Sequence, residues 1–403
     1  MDRRTFLRTG GTAAVGLTIT GCMPRGLRTS PAPARHPVNL VPVDVSWERV
    51  IRTTVGLRPH RDSGFVVRAD RLDEKTLIHN YGHGGAGMSL GWGTGYLATE
   101  LALAQPERRA AVIGCGMVGL TAARQLQRHG FDVTIYAKAL PPDTTSNMSW
   151  AGFTPLSGLV SANSRTPAWD EQFRRAVQIA YREHQLLVGS HYGVSWIDEY
   201  STMSEARAPR REGGLGGEGG AGLLPTSVNL GRSVLGPGEH PFTTPYAART
   251  PTMRFEPSIY LDALMHDVIT FGGKIVVRTF DTPRDLATLS EAVIVNCTGL
   301  GSKALFGDEE LTPIKGQLVA LVPQTDVTYS AGGMMPRSDG IVLGHVSQRD
   351  NWSLDVDEEE RKRVVGRAMT FFAGMHAPTV ATPTVISGPV SAPPVESFFD
   401  RES

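Results

Sequence analysis

From Thr76 onward, short apolar runs alternate with stretches at helical spacing, the pattern of a mainly parallel sheet covered by helices. An apolar strand at 76–79 leads through glycines into a packed helix over 90–104, which carries Trp92, Tyr96, Leu97, Leu101 and Leu103 and is broken at Pro106. A strand at 110–113, a second glycine run, a helix over 120–129 with Leu120, Ala123 and Leu126 on one side, and a strand at 132–136 read as a βαβ unit. Phe173, Val177, Ala180, Leu186 and Leu187 predict the inner face of a helix over roughly 170–195. Residues 257–271 read as a helix, and 274–277, 292–296, 317–322 and 340–343 as strands. Upstream, 46–55 is extended and runs into Gly56-Leu57-Arg58-Pro59 and a loop at 62–64.

Three stretches carry no periodicity. Residues 23–43 are rich in proline and small side chains and read as a tether, with order expected from about Asp44. Residues 205–250 read as a glycine-rich loop, and the run 213–222, with seven glycines, reads as a surface loop or a site cover. Residues 378–403 form a proline-rich tail.

With 403 residues at 40% hydrophobic composition, the chain is long enough for a large core. Lys+Arg and Asp+Glu balance at 40 each, so no global field exists to hold nucleic acid. Arg3-Arg4-Thr5-Phe6-Leu7-Arg8 is a basic twin-arginine segment before a short apolar run at 12–20, the layout of an export signal. That run is far below the roughly 20 residues of a spanning helix. Ile19-Thr20-Gly21-Cys22 resembles a lipobox, which implies lipidation of Cys22 and a membrane anchor on the outer side of the cytoplasmic membrane; an ordinary signal-peptidase site is the alternative. Cys115 in a glycine loop and Cys297 in an apolar strand are not placed to form a disulfide.

Gly114-Cys115-Gly116-Met117-Val118-Gly119 stands between a strand and a helix, the context of a dinucleotide loop. Gly114 permits the tight turn, Gly116 admits a pyrophosphate against the backbone, and Gly119 lets helix and strand approach. The match alone does not separate FAD from NAD. Where the second strand usually delivers a ribose-binding acid, the chain reads Tyr136-Ala137-Lys138. The earlier run, Ile78-His79-Asn80-Tyr81-Gly82-His83-Gly84-Gly85-Ala86-Gly87, offers His79 and His83 at a metal-like spacing, but its glycines disfavour the helix that a metal pair would need, so no metal is expected. Read as a loop, it brings backbone amides where a side chain would collide.

This earlier run resembles the signature of the D-amino-acid oxidase family. There it lies near the C-terminus, downstream of the dinucleotide loop, so the order here is inverted. Thr144-Thr145-Ser146 and Trp150-Ala151-Gly152-Phe153 resemble the second flavin-contacting stretch of that family. Val295 to Lys303, Lys315-Gly316-Gln317 and Asn351-Trp352-Ser353 resemble three further motifs. The chain therefore resembles a circular permutant, with 105–109 as the new linker. The implied fold is α/β: a Rossmann-like FAD-binding domain plus an α+β substrate domain with a mixed or antiparallel sheet. The expected layout is a signal at 1–22, a tether at 23–43, an FAD-binding domain at 44–160, a mainly substrate domain at 161–270, a return to the FAD-binding domain at 271–320 and to the substrate domain at 321–377, then the tail.

The resemblance implies FAD held by Gly114, Cys115, Gly116, Met117, Val118, Gly119, Thr144, Thr145, Ser146, Ala151, Gly152, Phe280, Thr298, Gly299, Gly84, Gly85, Gly87, Met88 and Ser89. It implies that Arg58 clamps a substrate α-carboxylate with its bidentate fork, that the Gly85 carbonyl touches substrate, and that Tyr246 covers it. Arg254, as a second cation, would favour acidic D-amino acids. The implied reaction is oxidative deamination of D-amino acids, by hydride transfer from Cα to flavin N5, to 2-oxo acids, ammonia and hydrogen peroxide. The partners are a small D-amino acid and either dioxygen or a membrane electron acceptor. The alternatives are a glycine- or sarcosine-type oxidase, an amino-acid dehydrogenase, and an inactive flavin-binding scaffold.

Overall fold

The computed structural model describes residues 37–206, 222–228, 231–344 and 346–376. The leader at 1–22, the tether as far as 36, most of the glycine run and the tail lie outside the described residues.

Eleven residues of extended chain form β1 (Val50–His60), and a tight turn leads to β2 (Val66–Leu72) and β3 (Lys75–Tyr81). Then follow α1 (Gly87–Leu103), β4 (Arg109–Ile113), α2 (Met117–Arg128), β5 (Asp132–Ala137), α3 (Pro167–Leu186), β6 (Val194–Met203), β7 (Ser233–Leu235) and β8 (Tyr246–Phe255). The described chain closes with α4 (Pro257–Thr270), β9 (Lys274–Val277), α5 (Pro283–Ala287), β10 (Val293–Asn296), α6 (Gly301–Phe306), β11 (Thr312–Leu321), β12 (Tyr329–Ala331), β13 (Met334–Arg337), β14 (Gly340–Leu343), β15 (Gln348–Arg349) and α7 (Glu358–Ala373). Among these residues no helix is long and apolar enough to cross a membrane.

Two sheets organise the molecule. The six-stranded sheet has the order β2-β3-β10-β4-β5-β9. All its neighbours are parallel except β2 and β3. Its strands β4 and β10 are almost wholly buried, as expected for a sheet covered on both faces. Helices α1, α2, α3 and α4 supply one cover, with Trp92, Leu120, Phe173, Leu261 and Leu264 in a single core. Close approach comes from small residues: a Cβ on Gly95 of α1 would stand 3.0 Å from the backbone of Ala122 in α2, and one on Gly93 would stand 1.9 Å from the Ala176 carbonyl oxygen of α3.

The nine-stranded sheet runs β1-β11-β14-β13-β12-β6-β8-β7, with β15 beside β11. Its pairs are antiparallel except β12 with β6. Side-chain alternation sorts its residues cleanly. Val319, Leu321, Ile341, Leu343, Met334, Tyr329, Tyr200 and Ala247 share one buried face with Val365, Ala368 and Phe372 of α7. The registers put Arg58, Gly316, Leu318, Val342, Met335, Ser330, Glu199 and Arg254 on the other face. Helix α7 is well initiated, because the Asp357 carboxylate accepts from the Glu359 and Glu360 amides and three acids occupy its first turn.

Several boundaries differ from the sequence reading. Residues 37–43 are no tether: Leu40 and Val43 are buried, and Val38 N–H donates to the Glu239 carbonyl at 2.9 Å. The block at 44–60, assigned to the FAD-binding side, belongs to the nine-stranded sheet, because β1 pairs with β11 along ten registered positions. Likewise β11 joins that sheet from Thr312, well before residue 320. Helices α3 and α4, expected on the substrate side, pack instead on α1 and α2 through the core that covers the six-stranded sheet. The helix expected to reach 195 stops at Leu186, where the chain turns through Gly189 into a bridge with Val194. The stretch 205–250 is not all loop, since it holds β7 and the start of β8.

Candidate active site

At the carboxyl edge of the six-stranded sheet the parallel strands are tied together by backbone bonds. Gly114 N–H donates to the Tyr136 carbonyl at 2.8 Å, and Cys297 N–H to the Ile113 carbonyl at 2.8 Å. Gly114 adopts φ +114°, and a Cβ there would stand 2.5 Å from the Cys297 carbonyl oxygen. A Cβ on Gly119 would stand 2.0 Å from the Gly114 carbonyl oxygen, so helix α2 is seated only because residue 119 lacks a side chain. Gly116 is the N-cap of α2. The Met117 amide donates to the Ser146 hydroxyl at 3.0 Å, which brings the Thr145–Met148 turn to the positive end of that helix. Thr144 Oγ1 donates to Asn147 Oδ1 in the same turn.

The other glycine run meets this loop. Beyond β3, Gly82 and Gly84 take φ +84° and +54°, and a Cβ on Gly84 would stand 1.8 Å from the Gly158 carbonyl oxygen. A Cβ on Gly87 would touch both His83 and Val118 at 3.8 Å, so the first turns of α1 and α2 are neighbours. Met88 and Ser89 are buried there, and Ser89 Oγ accepts from the Thr154 amide at 2.8 Å. The 151–154 segment is thereby fixed between α1 and β8: the Phe255 amide donates to the Ala151 carbonyl, the Phe153 amide to the Met253 carbonyl, and Gly152 bridges Arg254. Ala151 holds φ +64°.

Several buried polar groups behind the loops are paired with one another. Asn296 Nδ2 donates to His79 Nδ1 at 3.1 Å and to Ser302 Oγ at 3.0 Å, while its Oδ1 accepts from Thr298. His79 Nδ1 is thus an acceptor, and its Nε2–H faces Asp70 at 3.2 Å. Burial lowers the His79 pKa despite that carboxylate. His83 is buried beside Thr94 Oγ1, and burial pushes it down to about 3, so it is neutral. Asn80 is fully buried next to these loops, with the Cys297 thiol as the partner of its amide.

On the facing side stands Arg58. Its guanidinium lies over Gly316, where a Cβ would be 2.6 Å from Nη2, and its Cδ lies 3.1 Å from a Cβ built on Gly85. Nη1 donates to the Val346 carbonyl at 3.3 Å. Among the described residues no carboxylate pairs with it, and burial alone lowers its pKa. Half-buried and without an anion, this guanidinium is placed to take a ligand carboxylate.

A model of the FAD dependent oxidoreductase (DAO) family matches residues 33–101 and 109–400. The chain belongs to that family. Three curated relatives are a D-amino acid oxidase of Dugesia ryukyuensis, 24% identical over 66% of this chain and 78% of the relative; the D-aspartate oxidase of Homo sapiens, 25% identical over 66% and 77%; and a D-amino-acid oxidase of Rubrobacter xylanophilus, 27% identical over 64% and 76%. The cofactor is therefore FAD, and the site fits it. Gly116 caps α2, no acid stands in the first turn of that helix, and a Cβ at 116 would meet Ser146 Oγ at 3.0 Å, so the positive helix end and its side-chain-free loop suit a pyrophosphate.

The site residues read from the sequence fall into three groups. Gly84, Gly85, Gly87, Met88, Ser89, residues 114–119, Thr144, Thr145, Ser146, Ala151, Gly152, Thr298 and Gly299 come from separate segments that converge on the carboxyl edge of the six-stranded sheet. Arg58 joins them through Gly85, and Tyr246 opens β8 on the same sheet face as Arg58. Phe280 stands apart, packed edge-on against Tyr136 in the apolar layer of Leu286 and Leu289. Lys138 is exposed at the end of β5. Arg254 is not free for a substrate carboxylate: it donates to Ser195 Oγ at 3.1 Å and to the Pro336 carbonyl at 2.8 Å, and lies 3.5 Å from Glu256. Sequence reasoning missed the Val346 carbonyl, which no side-chain signal marks, and the reason for Gly316, visible only once Arg58 is placed.

Proposed function

We propose that the protein carries out FAD-dependent oxidative deamination of D-amino acids, giving 2-oxo acids, ammonia and hydrogen peroxide. The observation that carries this reading is the half-buried Arg58 guanidinium, which faces no carboxylate among the described residues and is held between Gly316 and Gly85 next to the cofactor cradle. Its planar fork binds an α-carboxylate bidentately, and fixing that end of the substrate orients the Cα–H bond toward the cradle. The bound FAD supplies the two-electron acceptor chemistry. The substrate C–N bond becomes C=N with loss of two electrons and two protons, water then replaces the nitrogen, and dioxygen ends as peroxide. The relatives act on D-amino acids and D-aspartate by name, which supports the substrate class.

Two further readings complete the proposal. The chain is a circular permutant, supported by the family match in two blocks that part between 101 and 109 and by the nearness of the two described ends. The Tyr329 hydroxyl donates to the Val41 carbonyl at 2.9 Å and lies 3.6 Å from Met375 Sδ. The leader exports the folded holoenzyme by the twin-arginine route and anchors it through Cys22.

The test is anaerobic mixing of the detergent-solubilised full-length holoenzyme with pooled D- or L-amino acids while the flavin band is followed. Bleaching by the D-pool alone is expected. A yellow protein that neither pool bleaches overturns the amino-acid reading.

A further inference from the structure

The two histidines of the first glycine run have separate partners. His83 turns to Thr94, while His79 lies in β3 between β2 and β10. His79 is 4% exposed, and Asn296 and Ser302 beside it are fully buried. The polarity of their hydrogen bonds is fixed from one end. A backbone amide can only donate, so the Thr298 N–H, at 3.1 Å, identifies the Asn296 atom that it meets as Oδ1. The Thr298 hydroxyl reaches the same oxygen at 2.8 Å. The Asn296 NH2 group therefore points the other way, to His79 Nδ1 and Ser302 Oγ. Facing a donor, Nδ1 carries a lone pair, and the imidazole proton sits on Nε2, 3.2 Å from Asp70 Oδ2. This chain of bonds accepts only a neutral imidazole.

Its inner end holds the turn that abuts the cofactor loop. The Cys297 carbonyl oxygen would stand 2.5 Å from a Cβ on Gly114, and the Gly301 and Ser302 amides close the turn on the carbonyls of Thr298 and Gly299. Its outer end meets water, because the Asp70 side chain is 41% exposed. Asp70 and His79 line a groove of about 390 Å³ with Arg61, Arg68, Tyr81, Phe306 and Asp308. The charged groups facing His79 are Asp70 and Arg68 from β2 and Asp308 from the turn after α6; Tyr81 follows it along β3 and Phe306 of α6 packs edge-on. Arg68 pairs with Asp70, and Asp308 with Arg61. These charges largely offset one another, and burial keeps the imidazole neutral near pH 7.

We propose that His79 is a positioning residue for the cofactor loop, and that a proton reaching it from the groove loosens bound FAD. A second imidazole proton has to sit on Nδ1, opposite the Asn296 NH2 group. Parting the two donors frees Asn296, and turning the Asn296 amide over sets its NH2 group against the Thr298 N–H. Both leave the turn beside Gly114 less firmly held. The inference concerns FAD alone and stands whatever the substrate.

The experiment takes the detergent-solubilised full-length holoenzyme, as wild type, His79→Gln and Asp70→Asn, from pH 7.5 to 4.5. Flavin fluorescence in ultrafiltrates gives the Kd for FAD, with no turnover required. Wild type should weaken about tenfold on acidification, the worth of one or two hydrogen bonds. The His79→Gln side chain offers Asn296 an amide oxygen but takes up no proton, so its Kd should change less than about twofold. General acid destabilisation acts on both proteins alike, so the comparison isolates His79. Asp70→Asn keeps an acceptor for Nε2–H but removes the charge that steadies the imidazolium, and its loss of affinity should begin roughly one pH unit lower. A wild-type Kd that is flat across this range overturns the proposal, as does a wild-type-like loss in His79→Gln. Should His79→Gln fail to fold, an Asp70→Asn profile that superimposes on wild type overturns it equally.

Discussion

Replacing Gly316 with alanine should disable the carboxylate clamp while leaving the Arg58 side chain itself intact. The new Cβ would stand 2.6 Å from Arg58 Nη2, 2.8 Å from Cζ and 3.0 Å from Nη1. Comfortable contact is ~3.5–4.0 Å, so the guanidinium must retreat by about 1 Å. What moves is the far end of a flexible side chain, so the fold should lose no more than about 1–2 kcal/mol. Displacing a positioning group by ~1 Å costs on the order of 100-fold in rate, or about 2.7 kcal/mol of transition-state stabilisation. Stopped-flow flavin reduction gives kcat/KM, the visible spectrum gives FAD content, and thermal unfolding gives Tm. Gly366→Ala serves as the control, since a Cβ there meets nothing within 4 Å and alanine should stabilise α7 by about 0.5–1 kcal/mol. A Gly316→Ala enzyme with full flavin and kcat/KM within about twofold of wild type would refute the placement of Arg58.

Two more outcomes follow from the geometry. His184, held by Tyr260 and the Ser89 carbonyl, is pushed by burial to about 4, and His83 to about 3. Both lie below the unfolded value of ~6.5, so the unfolded chain binds their protons first. Their stability contribution is whole above that pH and falls by about 1.4 kcal/mol per unit per histidine as pH drops toward the folded values. Urea unfolding between pH 6.5 and 5 should lose roughly one proton of slope in His184→Gln; an unchanged slope contradicts the burial argument. A relinked chain running from 109 to 376, through a short linker, and on from 38 to 103 should bind FAD with an unaltered spectrum, and a colourless soluble product would count against the permutation.

Much of the six-stranded sheet was legible, because buried parallel strands such as β4 and β10 are short apolar blocks and the glycines between them have no other steric use. The second sheet was harder. Strand β6 reads Val-Ser-Trp-Ile-Asp-Glu-Tyr, where charged residues interrupt the alternation. Strand β8 carries two arginines and a proline. Such strands are settled by pairing with neighbours far away in sequence, which no local window contains. Helix α7 escaped notice because its apolar face is thin, although the Asp357 cap and the Glu-Glu-Glu start are recognisable signals. Arg58 was placed through motif likeness; its lack of a counter-ion emerged only from the fold.

Strand β10 sits between β3 and β4, with Ile78 and Val112 on either side of Val295. The two glycine segments are made early, within the first 119 of 403 residues, yet the sheet that aligns them lacks its middle strand until synthesis passes Asn296. A ribosome therefore releases both halves of the cradle long before the wedge that sets their spacing, and cofactor capture is deferred until some three-quarters of the chain has emerged. Chaperone demand during that interval, rather than any weakness of the finished enzyme, is where this chain order exacts its toll.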